Sequence, residues 1–168
     1  MRRHEERLAE ILERETHLYE DLRGVKDDEA RALLVLSSVE IEASTAKQER
    51  LVEEAMRLEQ ERRDIVLRLS AGHGPWDHEP SLREIAPYLS PDIRRRVIQS
   101  ARALSAVCVD IGKAQISNSG LIRRSIDYLH DFMETLLRRA QARAAVYGPT
   151  GTFYSGKEAV PGFVDRKI

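Results

Sequence analysis

The sequence predicts an all-α protein: a long antiparallel helical hairpin plus a long C-terminal helix, a three-helix coiled-coil-like bundle with a flexible tail. Three observations carry this. Apolar residues recur at three- and four-residue spacing over long stretches. Proline is absent from those same stretches. Composition leans to Leu, Ala, Glu and Arg, with 33% of residues charged and only 5% aromatic. At 168 residues the chain has room for one domain and a tail, here placed at 1–147 and 148–168.

The first helix, about residues 4–36, is read from Leu8, Ile11, Leu12, Leu18, Tyr19, Leu22, Val25, Ala30, Leu33 and Leu34, with Glu, Arg and Asp between them. Two places could end it. One is Gly24. The other is Ser37 followed three residues later by Glu40, a capping-box spacing. The second is preferred, because it divides the region into two helices of about 32 residues, roughly 48 Å each. Helices of equal length bury their whole seam as a hairpin. Gly24 then only weakens the first helix, by about 1 kcal/mol relative to Ala.

The second helix, about 38–70, carries Ile41, Ala43, Leu51, Ala55, Leu58, Ile65, Val66 and Leu69, and stops at Gly72, Gly74 and Pro75. Residues 71–90 form a connector with three prolines, the single Trp76 and a short helical turn around 82–86. Trp76 reads as a plug for one end of the core. His73 and His78 flank it, but their spacing matches no zinc pattern and no Cys lies near.

The third helix, about 91–146, starts with Ser90 as N-cap, Pro91 at the first position and Asp92 at the positive helix end. Its stripe is Ile93, Val97, Ile98, Ala101, Leu104, Val107, Cys108 and Ile111. Three poor helix formers, Asn118, Ser119 and Gly120, then form a soft spot. The stripe resumes at Leu121, Ile122, Ile126, Leu129, Met133, Leu136, Leu137 and Ala140. Arg138, Arg139 and Arg143 suit the negative end, and Gly148 and Pro149 close the helix.

A helix over 91–146 would be about 84 Å long, roughly 20 residues more than the hairpin can cover. An apolar stripe left uncovered marks an interaction surface. A bend at Gly120 or dimerisation through the stripe would also remove the mismatch. The soft spot is expected to loosen the helix, so that the following segment can fold back or pack with a partner helix.

Composition narrows the function. The formal net charge is −1, which gives no electrostatic footprint for nucleic acid or a membrane surface. The lone Cys108, between Val107 and Val109, reads as a small buried hydrophobe. The charged start is no secretory signal, and no run of about 18 apolar residues would span a membrane. A cytoplasmic protein is expected.

No catalytic constellation appears: no phosphate-binding loop, dinucleotide fingerprint, Cys-pair zinc site or nucleophile elbow. Glu59, Glu61, Arg62, Arg63 and Asp64 read as a solvated helix face, as do Arg94, Arg95 and Arg96. The five histidines form no Glu-x-x-His pairs of the di-iron kind in the first two helices. No catalytic, cofactor-binding or metal-binding residues are assigned.

Three motifs then carry a family resemblance. Residues 46–66 hold Lys47, Leu51 and a Leu-Glu-x-x-Arg element of Leu58, Glu59 and Arg62. Asn118, Leu121 and Ile122 fit an Asn-x-x-Asn-x-x-Leu-Ile pattern in which Gln115 stands at the first Asn. Residues 147–151 read Tyr-Gly-x-x-Gly. In this order, on a long hairpin with a connector and a long last helix, they resemble the FlgN-type flagellar export chaperones over nearly the whole chain.

The resemblance implies a cytoplasmic chaperone without catalytic activity or cofactor. It would hold the terminal helices of hook–filament junction proteins before flagellar type III export, with the export apparatus as a further partner. The family's contact maps onto Asn118, Leu121 and Ile122. The stripe argument adds Ile126, Leu129, Met133, Leu136 and Leu137. A structural coiled-coil homo-oligomer and a chaperone of another secretion substrate are the alternative readings.

Overall fold

A computed structural model describes residues 2–73, 76 and 78–144. The chain divides into two compact units, Met1–Arg123 and Arg124–Ile168. Among the described residues there are helices and no strand, as the fold class requires: α1 (Arg2–Leu34), α2 (Ser38–Ser70), α3 (Leu82–Ile85) running into a 3-10 turn (Ala86–Tyr88), and α4 (Pro91–Ala144). The expected tail at 148–168 and the motif at 147–151 lie outside the described residues.

Each long helix in the first unit buries a seam of strict three–four spacing, the heptad signature of coiled coils. On α2 the series 41, 44, 48, 51, 55, 58, 62, 65, 69 is buried or half-buried throughout. On α4 the series 93, 97, 100, 104, 107, 111, 114, 118, 121 behaves the same way. The apolar centre gathers Leu8, Ile11 and Leu12 of α1, Leu58, Ile65 and Leu69 of α2, and Ile85, Leu89, Ile93 and Val97 beyond them. It therefore sits near the start of α1, the end of α2 and the start of α4.

Side-chain bonds fix the directions. Arg7 Nε reaches Glu61 at 2.8 Å and Arg14 pairs with Glu54 at 3.6 Å, so α1 and α2 are antiparallel. Glu5 accepts from Ser90, Glu13 from Arg96, and Glu29 from Asn118, so α4 runs parallel to α1. Glu5 takes bonds from both the Ser90 hydroxyl (2.7 Å) and the Ser90 N–H (2.9 Å). A buried α1 carboxylate thus stands at the positive end of α4, where the helix dipole favours it.

The hairpin turns without glycine or proline. Leu36 takes φ 53°, the Leu36 N–H donates to the Leu33 carbonyl and the Ser37 N–H to the Ala32 carbonyl. This is a Schellman closure with leucine at the left-handed position that glycine usually fills. Ser37 then caps α2, its Oγ accepting from the Glu40 N–H at 3.4 Å.

The connector is tied at both ends. Trp76 Nε1 donates to the Ser70 carbonyl at 3.1 Å, covering the end of α2. Ser81 and Glu84 form a reciprocal capping box for α3. The Ser81 hydroxyl and N–H, with His78 beside them, pull the Glu84 carboxyl down to about 2.

Two sequence expectations are corrected here. The charged run of α2 is not merely solvated, because Arg62 occupies a seam position. Its Nε donates to both carboxylate oxygens of buried Glu15 at 3.1 Å. Burial pushes the Glu15 carboxyl above its usual range, with Arg62 pulling against it. Removing one member of such a buried pair costs about 3–5 kcal/mol. Cys108 is exposed, since it stands one residue beyond the seam position Val107. α4 is helical through the soft spot at 118–120, in keeping with the single helix expected there.

Candidate functional site: an exposed apolar helix face

In the second unit, the described part of α4 carries Ile126, Leu129, Met133, Leu136 and Leu137, each between 43% and 61% exposed. Tyr128 and Phe132, also exposed, stack with ring centroids 6.5 Å apart and planes at 13°. Neither aromatic was singled out from the sequence, although their four-residue spacing on a helix was a usable signal. Half-exposed Leu, Ile, Met and aromatic side chains on one helix supply the anchors of helix-in-groove recognition. Charged residues sit among them, Arg138 pairing with Glu134 and Thr135 bonding back to the Asp131 carbonyl.

The three remaining expected contact residues lie in the first unit and differ from one another. Ile122 is 40% exposed. Leu121 is half-buried and belongs to the seam series of α4. Asn118 is only 2% exposed. Its Nδ2 donates to the Lys26 carbonyl at 2.9 Å and to Glu29 Oε2 at 2.7 Å, while Lys26 Nζ reaches the same carboxylate at 3.3 Å. Burial pushes the Glu29 carboxyl up, but the Asn118 amide and the Lys26 ammonium outweigh it and hold it below its usual value. Asn118 is thus a clasp between α4 and α1.

The clasp lies near the end of α1: Asn118 bonds Lys26 and Glu29, 92 and 89 residues before it, and α1 ends at Leu34. The first unit ends at Arg123.

Among the described residues no group of three or more His, Cys, Asp or Glu side chains is placed to hold a metal ion. His73 instead stacks on Tyr88 at 4.5 Å, and His78 lies 3.0 Å from Glu84. No helix among the described residues is long and apolar enough to cross a membrane.

Comparison with known proteins gives one family. The match is to FlgN protein and spans residues 1–154, nearly the whole chain. No curated protein and no solved structure matches.

Proposed function

The chain belongs to the FlgN family, which supports a flagellar export chaperone role in general, and from that premise we propose its substrates and its contact surface. The protein binds hook–filament junction proteins in the cytoplasm and keeps them soluble and unassembled until flagellar type III export. FlgN is a chaperone family, not known to be enzymatic, and in this reading the work is done by binding alone. The face of Ile126, Leu129, Met133, Leu136 and Leu137, with Tyr128 and Phe132, receives an amphipathic terminal helix of the substrate.

One observation supports this reading above the others: α4 has 54 residues against 33 in α1, and its apolar residues past the end of α1's register stay exposed. Exposed apolar surface of that regularity offers roughly 25 cal/mol per Å² to whatever covers it. Ordering the partner helix offsets much of that gain, which suits a hold that must be released.

Calorimetric titration with a purified hook–filament junction protein tests it. The expected result is a 1:1 complex in the micromolar range or tighter. Leu129→Asp/Met133→Asp should weaken it by at least about a hundredfold, since a charge then meets an apolar partner, with helicity unchanged. A folded monomer that does not bind overturns the substrate assignment. A stable dimer that does not bind overturns it in favour of a structural coiled coil.

A further inference from the structure

A concave surface lies wholly within the first unit and shares no residue with the 126–137 face. Between the α3–3-10 segment and the first turns of α4 runs a groove of about 560 Å³. Its floor is apolar: Leu82, Ala86, Pro87, Val97, Ile98 and Ala101. Three guanidinium groups, of Arg83, Arg94 and Arg102, line it, and no acidic residue does.

Other guanidinium groups of the first unit meet carboxylates, as Arg7 meets Glu61, Arg62 meets Glu15 and Arg96 meets Glu13. In the groove, Arg94 is turned inward: its Nη2 donates to the Pro87 carbonyl at 2.8 Å and the Leu89 carbonyl at 3.2 Å. Its Nε is buried with no acceptor. Arg83 and Arg102 are exposed and form no ion pair among the described residues.

The α4 side of the groove extends from Arg94 to Ser105, roughly 17 Å at 1.5 Å per residue. That matches three turns of a guest helix and exceeds the reach of a compact small ligand. An apolar floor edged by unmatched cations is complementary to an apolar stripe edged by carboxylates. Guanidinium groups bind carboxylates in a forked geometry that ammonium groups cannot copy.

We propose that this groove docks an acidic amphipathic helical segment of a partner protein. Leu or Ile anchors three and four residues apart enter the floor, and flanking Glu or Asp side chains meet Arg83, Arg94 and Arg102. The anchors supply affinity, and the charges supply orientation and speed of encounter.

Fluorescence anisotropy on the full chain tests this with a labelled synthetic peptide of about 14 residues, Leu at helical spacing and Glu elsewhere. Two counterparts carry Lys for Glu, or Ser for Leu. The Leu/Glu peptide should bind saturably in the micromolar range, weaken with salt, and bind at least about tenfold tighter than either counterpart. Arg83→Glu/Arg102→Glu should weaken it at least about tenfold. Arg83→Ala/Arg102→Ala, with helicity checked by circular dichroism, guards against a folding artefact. Leu129→Asp/Met133→Asp should leave binding unchanged. Absence of saturable binding below about 1 mM, equal binding of the Lys peptide, or loss only in the Leu129/Met133 variant would overturn the proposal.

Discussion

From Ile93 to Leu121, α4 repeats its inward residues at alternating spacings of four and three, and all are buried or half-buried. From Ile126 onward the positions 126, 129, 133 and 136 keep the same alternation, one residue out of step, and all are exposed. The two stretches belong to one helix and have similar apolar content, so periodicity does not separate them. What separates them is α1. It ends at Leu34, soon after the Lys26 and Glu29 that Asn118 bonds. A hydrophobic period shows which residues share a face. Whether the face is covered depends on the length of another element.

The comparison breaks most visibly with the same charge placed in each stretch. Val97, 1% exposed, packs in the apolar core and contributes to the groove floor. Val97→Asp should remove more than about 4 kcal/mol and leave little folded protein, since an unpaired charge is buried. Leu129→Asp should change stability by no more than about 0.5 kcal/mol. Urea titration of both variants measures the contrast, and equal destabilisation would erase it.

A smaller effect probes the clasp near the boundary. Asn118→Ala should cost about 1–3 kcal/mol at pH 7 by leaving buried acceptors unmatched, whereas Ser119→Ala, on the exposed side, should be neutral. The Glu29 carboxyl is held below its usual 4.5 in the folded chain. Its contribution is therefore present above that value and lost as pH falls below it. The Asn118→Ala penalty should accordingly shrink when the urea midpoint is measured in acid.

The smallest effect concerns the turn that ends α1. Leu36 holds a φ of 53° that a side chain disfavours by roughly 1–2 kcal/mol. Leu36→Gly should stabilise the hairpin by about 1 kcal/mol, the extra freedom of glycine in the unfolded chain taking back part of the relief. A rise in Tm with unchanged substrate affinity would show that the turn sets length and not binding.

The helical class, the pause at Ser37 and the apolar series of α4 could be read from the sequence because each rests on local chemistry: spacing, capping and chain breakers. The seam's polar members could not. Arg62 and Asn118 interrupt an apolar pattern, and their partners across the bundle, Glu15 and Glu29, explain their place in the seam. Asn118 was read as a loosening residue because its intrinsic helix preference is poor; the tertiary bond to Lys26 and Glu29 outweighs that preference. Cys108 was placed inside because a stripe read at 3.6 residues per turn is wider than the heptad seam used here. The candidate site was legible as a stripe, but Tyr128 and Phe132 were not, because they flank its centre line.

Asn118 has a consequence for how the chain avoids error. A helix with two apolar series, one residue out of step, offers α1 two faces to choose between, and slippage by a heptad would add further near-equal pairings. Hydrocarbon contacts discriminate weakly among such competitors. An amide that must find both a carbonyl and a carboxylate discriminates strongly, because every mispaired alignment strands it without them. The residue resembling a defect in the helix acts as the key that admits one alignment and leaves the other face unspent.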